Sequence, residues 1–304
     1  MVHVFIVNPI VCEKGYAQKL KARLSRIARL NYYVLTTKEE GHERELVELL
    51  CHFFEDESLR FYCCGGAGTL KNMINGISDF SKVEVAAVPF GTCDFLKSFD
   101  RSYDEFRDID SLIRGEVVYV DYIKSNVGIA LNSVSLGLDS EVGYFYENLN
   151  AMGLPRTISY SLATLYAGLL SPNKNFDIEL DDLKLDAARM TEFFFGNGSV
   201  LGGNMHLGID SDYQDGKGCY TIFEDKTGFN RIEIISATKD PQMEKTKQLA
   251  LTGHSSKVKI RRENGTLFYV NLDGELANTH EFKAEVVRQG LRFVLPRKKE
   301  ERKQ

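Results

Sequence analysis

Residues 59–77 read LRFYCCGGAGTLKNMINGI, and this stretch decides the class of fold. Its first six residues, Leu59 to Cys64, are an apolar run of the buried-strand type, closed by glycine. After Gly65-Gly66-Ala67-Gly68-Thr69 the pattern predicts a helix through Ile77. Glycine lets a backbone take positive φ and lets a ligand approach it closely. A glycine turn at a helix N-terminus aims amide N–H groups at an anion, so phosphate binding is one reading of the loop. An ordinary tight strand-to-helix turn is the other. Neither the P-loop pattern nor G-x-G-x-x-G is present, so neither function transfers.

The same alternation extends on both sides. VHVFIVNP (2–9) reads as a strand ending in a proline turn, and Tyr16, Leu20, Leu24 and Ile27 predict a helix over 13–29. YYVLTT (32–37) is a second strand, and Leu46, Leu49, Leu50 and Phe53 mark a second helix. VEVAAVPFGT (83–92) is a fourth strand running into another polar loop. Strand and helix in turn predict a parallel sheet covered on both faces. Asn8-Pro9 and Pro89 to Asp94 then fall with the glycine loop at the carboxyl edge of the strands, where open parallel sheets bind ligands.

Past about residue 116 the texture changes. EVVYVDYI, GIALNSVSLG, NFDIELD, MTEFFFGNG, GCYTIFE, LFYVNLDG and FKAEVVR are short strand-like runs separated by Gly, Asn and Asp. They predict an antiparallel sandwich or barrel interrupted by one helix over 157–170. That helix carries Ile158, Leu162, Leu165 and Leu169; burial between domains competes with a role as the wall of an acyl-chain pocket. The expected organisation is a nucleotide-binding α/β domain at 1–120 and a β-rich substrate domain at 121–290. A closing strand and basic tail at 291–304 would pack back on the first domain.

Composition excludes several functions. The chain has 304 residues, 43% hydrophobic and 27% charged, with a formal net charge of −5, so nothing points to nucleic acid. Six cysteines show no paired metal-ligand spacing, and six histidines form no HExxH or His–Cys cluster, so no zinc is expected. The vicinal Cys63-Cys64 reads as core packing rather than redox chemistry. No signal peptide and no apolar run of membrane-spanning length is evident, so a cytoplasmic protein is expected. The C-terminal Arg297, Lys298, Lys299, Arg302 and Lys303 form either a solvated tail or a patch for peripheral contact with the inner membrane surface.

Three segments together are more specific than any one. NPxxxxxG at 8–15, GGAGTLKNMINGI at 65–77 and PFGTCDFLKSF at 89–99 resemble the nucleotide-binding segments of the diacylglycerol kinase-like lipid kinases. LNSVSLGLDSEV (131–142), GNGSVLGGNMHLGIDSDYQDGKG (196–218) and VNLDGE (270–275) are similar to that family's second-half motifs, in the same order. The resemblance implies an N-terminal parallel-sheet domain of NAD kinase/diacylglycerol kinase type followed by a mostly antiparallel β-sandwich. It implies phosphorylation of a lipid hydroxyl, diacylglycerol or a relative, by ATP with Mg2+ in an interdomain cleft. Carried across, it puts Asn8, Gly65, Gly66, Gly68, Thr69, Gly91, Thr92 and Asp94 around the nucleotide. Glu275 becomes the base on the lipid hydroxyl, and Asp215 a catalytic and metal-binding carboxylate. Read from the residues alone, Asp215-Gly216 and Asp273-Gly274 fit hairpin turns better than catalytic positions, and only the order of the motifs argues otherwise. A homodimer is compatible with such a β-rich domain.

The chain departs from the family pattern at two places. The family's GGDGT has Ala67 at its acidic position, and the usual Asn-Asp of the next loop is Cys93-Asp94. Alanine can neither ligate a metal nor accept a proton. A nucleotide- or lipid-binding regulatory module with weak catalysis therefore stands beside the lipid kinase, and so, because NAD kinases have a similar glycine loop, does an NAD kinase-like enzyme.

Overall fold

The computed structural model describes residues 1–170, 173–225, 229–239 and 241–298. The chain divides into two compact units, one made of 1–120 with 289–304 and the other of 121–288.

The first unit is built on a parallel sheet. β1 (Val2–Val7) lies between β2 (Tyr32–Thr36) and β3 (Leu59–Gly65), and β3 is followed by β4 (Val83–Pro89), all parallel. The connections are the helices α1 (Tyr16–Leu24), α2 (His42–Phe53) and α3 (Ala67–Asn75). β1, β3 and β4 are buried almost end to end because both faces are covered, which is why their sequences lack a polar alternation. Gly15 and Gly41 enter α1 and α2 at φ 77° and 83°, a region glycine occupies without strain. The sheet is completed from the far end of the chain: Arg292 and Phe293 pair in parallel with Glu84 and Val85 of β4.

That last pairing is fixed by a buried ion network. Arg60 on β3 gives Nε to Glu84 Oε2 at 2.7 Å and Nη1 to the carbonyls of Leu112 and Ile113. Arg292 binds the other oxygen of Glu84, which is 2% exposed. Phe293 is fully buried and stacks on Phe99 with rings 5.4 Å apart.

The second unit is largely antiparallel. The strand Lys184–Gly196 pairs with Lys174–Leu180, Ser133–Gly137 and Gly218–Glu224. Outward from these run Lys257–Arg262 beside Lys174–Leu180 and Phe268–Leu272 beside Ser133–Gly137. Phe193, Phe195, Ile178, Ile260, Val270 and Phe282 form its main core. Phe194 and Phe223 turn to the opposite side, into a smaller cluster with Leu207 and Ile234. The expected helix is Arg156–Leu170. Three others escape the strand reading: Leu138–Ala151, Phe229–Ala237 and Glu244–Leu249. The first begins inside the motif LNSVSLGLDSEV, where Gly137 at φ 110° breaks the strand and Asp139 and Glu141 favour the helix N-terminus. Expected helices over 13–29 and through Ile77 are shorter, ending at Leu24 and Asn75. Among the described residues no helix is long and apolar enough to cross a membrane. Lys299, Arg302 and Lys303 of the basic tail lie outside the described residues.

Candidate active site

The glycine loop sits where β3 passes into α3. Gly65 has no room for a side chain, because an added Cβ would lie 2.6 Å from the Cβ and Oγ1 of Thr69. This contact folds the loop tightly onto the first turn of α3. Gly66 caps the helix in extended backbone, and its Cβ position is open, with the nearest neighbour Thr92 O at 3.8 Å. The amides of Gly68 and Thr69, second and third in α3, have no carbonyl partner within the helix by its geometry. Such amides, with the positive end of the helix dipole behind them, are able to receive an anion.

Three loops are stitched together around that helix start. Asn8, at the end of β1, gives Nδ2 to Thr69 Oγ1 at 3.1 Å and to Glu43 Oε1 at 3.3 Å. Its Oδ1 accepts the Ile10 amide at 3.0 Å, and its own amide gives to Cys64 O at 3.0 Å. From the third loop, Thr92 O accepts the Ala67 amide at 3.1 Å, and the Phe90 amide gives to Gly65 O at 2.9 Å. A Cβ on Gly91 would stand 3.8 Å from Gly66 Cα, so two glycine backbones approach with nothing between them. The structure thus brings Asn8, Gly65, Gly66, Gly68, Thr69, Gly91 and Thr92 to one edge of the first unit's sheet.

Asp94 follows, opening a short 3-10 turn over Asp94–Ser98, with Lys97 Nζ 3.0 Å from its Oδ1. The loop before it is anchored by Tyr103, whose hydroxyl accepts the Cys93 amide at 3.0 Å and gives to Cys93 O at 2.8 Å. Arg107 gives Nε to Pro89 O at 2.8 Å and lies 5.9 Å from the centre of the Phe90 ring. Beneath the loops, burial raises the thiols of Cys63 and Cys64, and pushes Cys12 up to about 12. They are packing groups rather than nucleophiles at neutral pH.

Asp215 and Glu275 belong to the second unit, on separate turns. Asp215 is exposed, and its Oδ1 accepts the Lys217 amide at 2.8 Å. Gly216, at φ 81°, gives its amide to Asp121 Oδ2 at 2.7 Å. Glu275 is half-buried and opens the second strand of a hairpin in which Leu272 pairs with Glu275. The turn between them is Asp273-Gly274, at φ 51° and 95°, so the hairpin reading holds there. Asp273 is more than a turn residue. Its carboxylate accepts the amides of Leu131, Asn132 and Ser133 at 2.6, 3.0 and 2.8 Å.

Several polar residues at these sites carry no obvious mark in the sequence. Glu43, 2% exposed, begins α2 and reads there as a surface charge. Asn197 is buried and gives Nδ2 to the carbonyls of Asp121 and Leu131, both at 3.1 Å. Glu192 had a usable signal: it is one acid set inside the apolar run MTEFFFG, and a charge at a buried-strand position demands a partner or a purpose. Its Oε2 accepts the Asp139 amide at 2.9 Å. Asp139 Oδ2 accepts from Ser135 Oγ and Asn271 Nδ2, each at 2.6 Å. Among the described residues no group of three or more His, Cys, Asp and Glu side chains gathers as a metal site.

Comparison with known proteins places this arrangement. The profile of the diacylglycerol kinase catalytic domain matches residues 3–125. A curated protein of Staphylococcus aureus (strain Mu3) named "Putative lipid kinase" is 26% identical over 238 residues, covering 77% of this chain and 76% of its own. Among solved structures, "a putative diacylglycerol kinase" from Bacillus anthracis superposes with a TM-score of 0.71 at 21% identity, over 96% of this chain and 94% of that one. Yeast NADH kinase complexed with NADH has a TM-score of 0.54 at 13% identity, over 99% and 84%. These two structural likenesses show a shared fold. Residues 3–125 thus match the diacylglycerol kinase catalytic domain, and over about three quarters of its length the chain is similar to curated putative lipid kinases.

Proposed function

We propose that the chain transfers the γ-phosphoryl group of ATP to the hydroxyl of a lipid. One observation carries the nucleotide half of this reading: the bare glycine backbone at Gly66 and Gly91, stitched to Asn8, Thr69 and Thr92 around the start of α3. A Cβ at these glycines would meet nothing closer than 3.8 Å, and that space fits a polyphosphate against backbone amides. ATP supplies the phosphoryl group. Gly68 and Thr69 amides would hold its charge, Asn8 would keep the Thr69 hydroxyl oriented, and the Thr92 loop would close over the other side.

Mg2+ is held in such enzymes by one or two carboxylates together with phosphate oxygens, so no all-protein cluster is required. Asp215 is the exposed carboxylate we assign to it, and Glu275 the group that takes the hydroxyl proton. Glu275 suits that role by its place at the start of a strand, next to a turn locked by Asp273.

Ala67 favours a second reading. It stands at the first position of α3, where a carboxylate would face the same site. A chain that binds nucleotide through backbone amides yet transfers phosphate slowly would be a binding module. Transfer of labelled γ-phosphate from ATP to diacylglycerol in mixed micelles, with and without Mg2+, separates the two. Label in the organic phase supports the kinase. Saturable ATP binding without label supports the module, and the absence of both label and binding removes both readings.

A further inference from the structure

The second unit contains a cavity of about 320 Å³. Val142, Leu201, Met205, Phe223 and Ile234 make most of its wall apolar. Tyr160 and Thr164, on the helix Arg156–Leu170, complete one side. The wall has one acidic spot, where Asp139 and Glu192 meet. Glu192 is 4% exposed; its Oε2 is engaged by the Asp139 amide, and its Oε1 is buried with no hydrogen-bond partner. A buried polar atom left without a partner is rare and costly, so an orphan oxygen on a cavity wall marks a place for a ligand atom.

The character of that oxygen is set by its surroundings. Burial, and then the neighbouring Asp139, raise the Glu192 carboxyl well above the usual range, while burial raises Asp139 against the hydrogen bonds from Ser135 and Asn271. A protonated carboxyl donates one O–H and still accepts. Such a wall suits an uncharged oxygen, which can take or give a hydrogen bond without the cost of burying an ion.

We propose that this cavity binds one alkyl or acyl chain whose uncharged oxygen function, a hydroxyl or ester, pairs with Glu192. The size argues for a single chain, since ligand pockets run from about 300 to 1,000 Å³ and this one lies at the lower end. The inference rests on the lipid reading above and narrows it to single-chain neutral lipids.

The experiment is equilibrium dialysis of the full chain against radiolabelled 1-decanoylglycerol, decylamine and 1,2-didecanoylglycerol, each below its aggregation limit. We expect saturable one-site binding of 1-decanoylglycerol, at least about tenfold weaker binding of the other two, and about a fourfold loss for each methylene removed from the chain. Glu192→Leu should weaken 1-decanoylglycerol about tenfold, and Glu192→Gln, which keeps a donor and an acceptor, should retain it. Thr164→Trp should fill the cavity and abolish binding. Because the chain has no native tryptophan, emission from that single indole reports whether the variant is folded and the site enclosed. No saturable binding, equal binding of all three lipids, or unchanged binding in a folded Thr164→Trp variant would overturn the proposal. Parallel phosphotransfer assays keep the two ideas apart. Transfer to diacylglycerol without single-chain binding removes this inference and leaves the kinase, whereas binding without transfer does the reverse.

Discussion

Asn8 and Thr69, sixty-one residues apart, meet through a 3.1 Å hydrogen bond that joins the end of β1 to the first turn of α3. The same amide group of Asn8 also gives to the buried Glu43, so a single side chain holds the ends of two strand-to-helix connections. Removing it as Asn8→Ala leaves the Thr69 hydroxyl and a buried carboxylate each short of a donor. Nucleotide affinity should fall about 5- to 30-fold, the equivalent of roughly 1–2 kcal/mol, in titrations with a fluorescent ATP analogue. Unchanged affinity would show that the backbone loop holds its shape alone.

Ala67→Asp should raise phosphotransfer. A charged group acting on the transition state is worth on the order of 10² to 10³ in rate, with little change in the KM for ATP. The variant should also gain about 0.3–1 kcal/mol in stability, because the new carboxylate lies in the first turn of α3. Initial rates with labelled ATP measure the first effect and urea unfolding the second. A stability gain without a rate gain would locate the limiting defect away from this loop.

His3 gives the first unit an acid-sensitive limb. Burial, then the nearby Arg60, lowers its pKa from 6.5 to about 4, and its Nδ1 lies 2.8 Å from the Tyr62 hydroxyl. The unfolded chain binds this proton near pH 6.5 and the folded chain only near 4. The contribution is therefore whole above pH 6.5, falls across that window, and is gone below it; its size is on the order of 3 kcal/mol at most. His3→Gln should flatten the slope of unfolding free energy between pH 6.5 and 4. An identical slope would mean another group titrates there.

Glu192 acts in the opposite direction. Its pKa is raised by burial, so the folded state holds the proton longer than the unfolded chain, and stability is lost as pH rises above the ordinary carboxylate range. Glu192→Gln keeps the acceptor for the Asp139 amide without a charge to bury. It should raise the thermal midpoint at pH 8 and change little at pH 4, as calorimetry across that range would show. A lower midpoint at pH 8 would mean that the ionised form is stabilised in the fold.

Much of the first unit was legible because its strands are buried on both faces. Unbroken runs such as VHVFIV and VEVAAV mark them, and Gly65 sits where close packing against Thr69 demands a glycine. The second unit was harder. Leu138–Ala151 begins immediately after the strand that Gly137 ends, and its amphipathic signal is diluted by Gly143, Tyr144 and Asn148 on mixed faces. Function was legible as types of residue rather than as partners. Asn8 and Thr69 could be singled out, but Glu43, the second partner of that amide, lies in the run EEGHERE and looks like any solvated acid. At VNLDGE the motif drew attention to Glu275, while the three backbone amides converge on Asp273. A contact made across 140 residues leaves no periodicity to read.

The return of Arg292 and Phe293 to the edge of β4 sets an order of events during synthesis. The first 120 residues leave the ribosome well before the strand that pairs with β4, which lies beyond residue 288. Until then Glu84 lacks one of its two arginines, and the aromatic face of Phe99 is open. The nascent first unit therefore waits with an unfinished sheet edge, whose unpaired backbone groups can template pairing with another chain. A chain interrupted before Arg292 would injure the part of the protein that was made first.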